Sequence, residues 1–204
     1  LQNLQAIRRL DVETLDSYEI GARGNAAGFE YDVAIYHMYK DNFFFRDSDG
    51  LNVPDGKTRH FGIEAAMRGA LGEIAGGELS WNANLSWADQ RYDFTRNVAV
   101  AAEDIFRDDK IDTAPDWLVD AGLAWETPVF SLGLSTEYVG EYFTNAANTA
   151  LYDGHLIAHL RGGWRFTERM EAFAIVRNIT DERYADRADF AQGQDRYVPG
   201  EPVN

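Results

Sequence analysis

Apolar and polar residues alternate along this chain in segments of roughly ten residues, and the pattern returns about eight times. The clearest copy is Leu79-Ser80-Trp81-Asn82-Ala83-Asn84-Leu85-Ser86-Trp87. One set of its side chains is Leu, Trp, Ala, Leu, Trp, and the other is Ser, Asn, Asn, Ser. A period of two predicts a β-strand with two chemically different faces. Large aromatics on the apolar face fit two destinations. A soluble sandwich hides such a face against a second sheet. A membrane barrel turns it to lipid and keeps the polar face around water or a plug.

The same alternation predicts strands over about 17–24, 29–39, 57–71, 78–94, 115–126, 129–143, 153–166 and 171–180. The third segment also fits a helix, because Ile63, Met67, Leu71 and Ile74 form a stripe in an alanine-rich stretch. Gly62 and the neighbouring segments favour strand. The connections near Gly24, Gly72, Thr127 and Thr167 read as short. Those near Asp47, Asp104 and Asn145 read as long, with room for a short helix in the stretch from Thr95 to Thr113. The tail after Thr180 reads as irregular and polar. Short turns on one rim and long loops on the other are the topology of an outer-membrane barrel. The segments also exceed the ~5–6 residues usual in soluble strands, which suits a tilted crossing of a bilayer. Trp81 and Trp87 bracket one apolar band and Trp117 and Trp125 another, as aromatics do at membrane interfaces.

Composition narrows the choice only a little. The chain has 204 residues, 18 glycines, 5 prolines and no cysteine, so neither a disulfide framework nor thiolate chemistry is expected. No apolar run approaches the ~18 residues of a spanning helix, which leaves a β-barrel untouched. A net charge of −15 argues against binding nucleic acid, which needs clustered Lys and Arg. Leu1-Gln2-Asn3-Leu4-Gln5 has no basic and apolar run of a signal peptide, so a mature or internal piece, or a cytoplasmic protein, is expected.

Four motifs then occur in order: Tyr18-Glu19-Ile20-Gly21, Gly62-Ile63-Glu64, Val176-Arg177-Asn178-Ile179-Thr180-Asp181-Glu182-Arg183-Tyr184, and Arg196-Tyr197-Val198-Pro199-Gly200-Glu201-Pro202. Together they resemble the barrel of TonB-dependent outer-membrane receptors, over nearly the whole chain. The resemblance implies an all-β fold, an antiparallel transmembrane β-barrel segment of about eight up-and-down strands from a barrel of about 22. It also implies that residues 1–204 are a partial barrel domain, with the plug domain and energy-coupling box lying before Leu1 and a closing strand still to come. Val203 stands where the family usually has Arg. The function implied is energy-dependent uptake across the bacterial outer membrane, with an iron–siderophore complex as the usual cargo. The implied partners are the lipid bilayer, the plug, the TonB energy-coupling protein and a ferric chelate. A passive porin or small closed barrel is the first alternative, and a soluble glycan-binding sandwich the second.

Candidate site residues are few. Arg46, Arg59, Arg91 and Arg107 fall at or near the long-loop rim, where guanidinium groups suit anionic chelates. Asn178, Asp181 and Tyr184 read as a strand end and turn held by side chains. His155 and His159 sit about 13 Å apart on a strand, too far to share one metal and better read as lumen-facing polar groups. The acidic run Glu103–Asp112 and the turn Asp47-Ser48-Asp49-Gly50 lack the order of a calcium loop. No nucleophile–base motif, phosphate loop or metal-ligand spacing appears, so no enzyme activity and no cofactor are expected.

Overall fold

In a computed structural model, which describes residues 11–47, 49–191 and 193–204, the alternating segments form one antiparallel meander. Its strands are β1 (Thr14–Ala26), β2 (Phe29–Arg46), β3 (Asn52–Ile74), β4 (Gly77–Tyr92), β5 (Trp117–Glu126) and β6 (Phe130–Val139). A two-residue pair, β7 (Tyr142–Phe143) and β8 (Leu151–Tyr152), interrupts the sequence before β9 (His155–Thr167) and β10 (Met170–Val176). A last hairpin joins β11 (Ala185–Ala191) and β12 (Gln194–Pro199). The main sheet has eight strands in the order β1-β2-β3-β4-β5-β6-β9-β10. The reading of Leu1–Gln5 lies outside the described residues.

Register turns the period-two pattern into two continuous faces. Trp87 lies opposite Ile63 and Trp117, Leu85 opposite Ala65 and Val119, and Ala83 opposite Met67 and Ala121. The apolar set therefore stays apolar from strand to strand, as it must when one face is to be buried in a single medium. Aromatics gather at both ends of this band. His37, Phe61, Trp87 and Trp117 form a chain of ring contacts of 5.8–6.2 Å towards the long connections. Phe29 with Trp81, and Phe130 with Trp164 and Phe166, do the same towards the short turns. Two aromatic rows with aliphatics between them match a hydrocarbon layer with an interface on either side.

The opposite face is polar: Glu19, Asp32, Glu64, Asn84, Ser86 and Asp120 share it. Depressions in the sheet are lined by this face, so it is the concave one. The third segment is strand throughout, paired with β2 and β4 along its length.

Turn chemistry explains the short rim. Ala27-Gly28 and Ala75-Gly76 join their strands in two residues, with φ of 52° and 86° in the first and 52° and 74° in the second. Two consecutive positive φ values define the turn whose twist matches antiparallel strands. Thr127 closes the β5–β6 turn by accepting hydrogen bonds from the amides of Val129 (3.2 Å) and Phe130 (2.7 Å).

The structure corrects four expectations. β1 pairs with β2 and β10 with β9, and no β1–β10 pairing exists among the described residues, so a small closed barrel does not form. Among the described residues no second sheet stacks on the apolar face, and Trp117 and Trp164 are 41% and 53% exposed, which removes the sandwich. The connection near Asp47 is not long, because β2 and β3 continue to Arg46 and from Asn52. The tail is not wholly irregular, because it carries the β11–β12 hairpin.

The third correction has a local cause. Asn42 adopts φ of 56°, and the register shifts between Lys40 and Phe43. One extra residue in a strand exchanges its faces beyond that point. Phe43 and Phe45, which the simple alternation would send outward, instead pack with Phe94 at 6.2 and 5.9 Å. Pro54, which has no N–H to give, falls in the second irregular stretch of the same ladder.

Candidate functional site

Beyond the aromatic row at the open rim, the long connections fold into a layer. Its centre is a small apolar core of Tyr92, Ile105 and Ala146, with Phe45, Phe94 and Ile111 against it. Tyr92 pairs in register with Thr58 on the polar side of the sheet, so this core sits at the inner mouth. Directly beneath, the His60 ring is hydrogen-bonded to Gln90 (3.0 Å) and Thr58 (2.9 Å).

Polar contacts tie the connections to one another. Arg96 donates twice to the Asp47 carboxylate, and Asp49 accepts from the Ala99 amide (3.0 Å), which joins the β2–β3 turn to the β4–β5 connection. The Asn148 side chain accepts from the Lys110 amide (2.8 Å) and donates to the Lys110 carbonyl (2.9 Å), which joins that connection to the β7–β8 turn. The hydroxyls of Tyr142 and Tyr152 accept from the amides of Ala188 and Ala185, both 3.0 Å, and hold the β11–β12 hairpin. Asp189 binds Arg196 through both oxygens (2.8 and 2.9 Å) and also pairs with Arg187. The Arg196 hydrogen bonds hold the Asp189 carboxyl below the usual carboxylate range despite its burial. For Asp47, burial pushes upward, but the bonds from Arg96 and the Leu51 amide and the Arg96 charge outweigh it, and the pKa falls.

Below this layer lies the polar wall. One trough of ≈ 550 Å³ is lined by Glu19, Asp32, Glu64 and Asp120 with Asn84 and Ser86. Another of ≈ 560 Å³ presents Arg23, Arg68, Glu30 and Asn82. These are hydrogen-bonding and charged surfaces suited to holding or passing a solute. Among the described residues no cluster of metal-ligating side chains occurs.

The four arginines do not converge. Arg59 meets Asp108 at 2.6 Å, and Arg91 grips both oxygens of Asp89 at 2.9 Å and donates to the Asp108 carbonyl at 2.7 Å. Arg59 and Arg91 are register partners on the side of Phe61 and Trp87, so they face outward rather than into the mouth. Arg107 pairs with Asp93 at 2.9 Å, and Arg46 donates to the Gly50 carbonyl at 3.1 Å; both are exposed.

Asn178, Asp181 and Tyr184 do converge. Asn178 is 1% exposed with φ of 48°. Its amide donates to the carbonyls of Glu182 and Glu201, both 2.9 Å, and accepts from the Glu182 amide (3.0 Å). Asp181 accepts from Val203, and the Tyr184 hydroxyl from Glu201, both 3.3 Å. Arg177 and Asn204 exchange two backbone bonds (2.9 and 3.3 Å), which lays the final residues beside the β10 edge. His155 and His159 have separate partners, Tyr152 at 2.8 Å and the Asn178 amide at 3.2 Å.

Sequence reasoning gave no role to Arg96, Tyr142 and Tyr152, each of which acts on residues remote in the chain. Asp47 and Asn148 gave a signal only as turn-forming residues.

Comparison with known proteins agrees with this geometry. Residues 3–179 match the family described as TonB dependent receptor-like, beta-barrel. No curated relative matches the sequence. Among solved structures, the ferric yersiniabactin uptake receptor FyuA from Yersinia pestis is similar with a TM-score of 0.74 and 17% identity, over 94% of this chain and 28% of that one. The ferric citrate transporter FecA gives 0.75 and 17%, over 93% and 30%. The copper transporter OprC gives 0.70 and 17%, over 96% and 30%. The chain thus spans under a third of the length of these proteins, and at such identity the likeness concerns the fold. The match across most of the chain, on a meander with one apolar and one polar face, places this protein in the TonB-dependent receptor-like β-barrel family.

Proposed function

We propose that this chain forms part of the wall and loop rim of an outer-membrane receptor for energy-dependent uptake of a scarce ligand, with an iron–siderophore complex as cargo. The observation that carries the reading is the division of labour in one sheet. One face carries an apolar band between two aromatic rows, the opposite face is polar, and linked loops stand at one rim. The similar structures are those of a ferric yersiniabactin uptake receptor, a ferric citrate transporter and a copper transporter, which supports a chelated or free metal as the cargo class.

On this reading the loop layer captures cargo and the polar wall surrounds a plug domain, whose rearrangement by a TonB energy-coupling protein opens the passage. Arg46 and Arg107 are the arginines we place at cargo, because both stand exposed at the rim. Arg59 and Arg91 instead brace the outer side through Asp108 and Asp89. Asn178, Asp181 and Tyr184 hold the chain's return along β10 and take no part in capture. The protein is a binding and translocation device, not an enzyme.

The test is uptake of a panel of labelled ferric chelates by cells with the gene intact or deleted, with and without an uncoupler. At least one chelate is taken up only by gene-intact cells, and an uncoupler abolishes that uptake. Gene-dependent uptake indifferent to the uncoupler would leave a passive channel instead.

A further inference from the structure

We propose that Asp47 and Arg96 form a latch that closes the β4–β5 connection onto the inner mouth, so that the described loops open together rather than one by one. What the latch controls, access to the polar wall, rests on the receptor reading above; the latch itself does not.

Burial distinguishes this pair from the other ion pairs of the β4–β5 connection. The Asp47 side chain is 3% exposed, whereas the rim pairs Arg59–Asp108 and Arg107–Asp93 expose both partners by a third or more. Exposed pairs contribute little and break freely. A buried carboxylate that loses its partner is strongly unfavourable, so its neighbourhood must open to water.

The contacts show what opening would carry. Arg96 and Ile105 exchange two backbone hydrogen bonds of 2.8 Å, so the segment between them is a closed loop. Within it Asp104 accepts from the Val98 amide at 2.8 Å, and the Ala99 amide reaches back to Asp49. Ile105 is in the apolar core with Tyr92 and Ala146, and Ala102 accepts from the Ala147 amide at 3.3 Å. Lifting Arg96 off Asp47 therefore withdraws a core side chain and loosens the β7–β8 turn in the same movement.

The test is hydrogen exchange on the full-length protein in outer-membrane vesicles, for wild type, Arg96→Ala and Asp47→Asn. The latch predicts that the amides of Arg96, Ala99, Ile105 and Ala147 all exchange faster, on the order of tenfold or more. Amides in the β4–β5 ladder around Ala83 and Ala121 stay unchanged. A second variant, Arg96→Lys, keeps a cation beside Asp47 and guards against misfolding. It holds all four amides closer to the wild-type rates than Arg96→Ala does. The proposal is overturned if Arg96 and Ala99 speed up while Ile105 and Ala147 do not, or if none responds. Either result is read without cargo, so it stands apart from any failure of the uptake reading.

Discussion

The wall and the loop layer of this protein are built by opposite means. The wall is repetitive: each strand contributes the same apolar-out, polar-in alternation, and cross-strand register multiplies it into two faces. No single side chain decides it. The loop layer is the reverse, since single groups such as Asp47, Asn148, Tyr152 and Asn178 hold segments far apart in sequence. A wall tolerates loss of a contact but not a wrong face. A loop layer tolerates surface change but not loss of a tie.

The largest effect is expected from giving the wall a wrong face. Leu85→Arg puts a charge into the apolar band and costs about 2–4 kcal/mol of folding stability in vesicles, measured by urea titration. Asn84→Arg, one residue away on the polar face, costs under about 1 kcal/mol. Equal costs would mean that the two faces see the same medium.

Next comes a tie in the loop layer. Asn178→Ala removes a buried side chain and leaves two carbonyls and an amide without their partner, at about 1–3 kcal/mol. The loss concentrates in faster exchange at Glu182 and Glu201, while the β9–β10 ladder holds. Lys57→Ala, which removes an exposed pair with Asp41 (3.0 Å), sets the baseline at well under about 1 kcal/mol.

The smallest effect is one of pH. Asp189 has its folded-state pKa lowered by Arg196. Its contribution is therefore complete above the unfolded value of about 3.9 and is lost only as pH falls through the lower folded value. Protection of the β11–β12 amides, corrected for intrinsic rates, stays level from pH 7 down to about 4 and declines below it. A decline that begins near pH 6 would assign the hairpin's stability to another group.

The same contrast explains what could be read from the chain. The eight wall strands were legible because alternation is local: Leu79 to Trp87 announces both faces within nine residues. Their ends were less so. Asn42 breaks the period by bulging, so the continuation of β2 through Phe43 and Phe45 looked like loop. The β11–β12 hairpin was hidden because Tyr142 and Tyr152 hold it from outside its own sequence. Among the arginines, residue type and rim position were visible. The inward or outward sense of Arg59 and Arg91 required the register with Phe61 and Trp87.

Single cysteines placed along β4, in a chain with none of its own, test the two-faced wall most directly. In vesicles, cysteines at Ala83 and Leu85 should resist a membrane-impermeant thiol reagent and, when coupled to a fluorophore before insertion, respond to a lipid-phase quencher. Cysteines at Asn82, Asn84 and Ser86 should react with the reagent and ignore the quencher. Reactivity that does not alternate from 82 to 86, or that alternates in the opposite sense, would contradict a sheet that turns Leu85 to lipid and Asn84 to the passage.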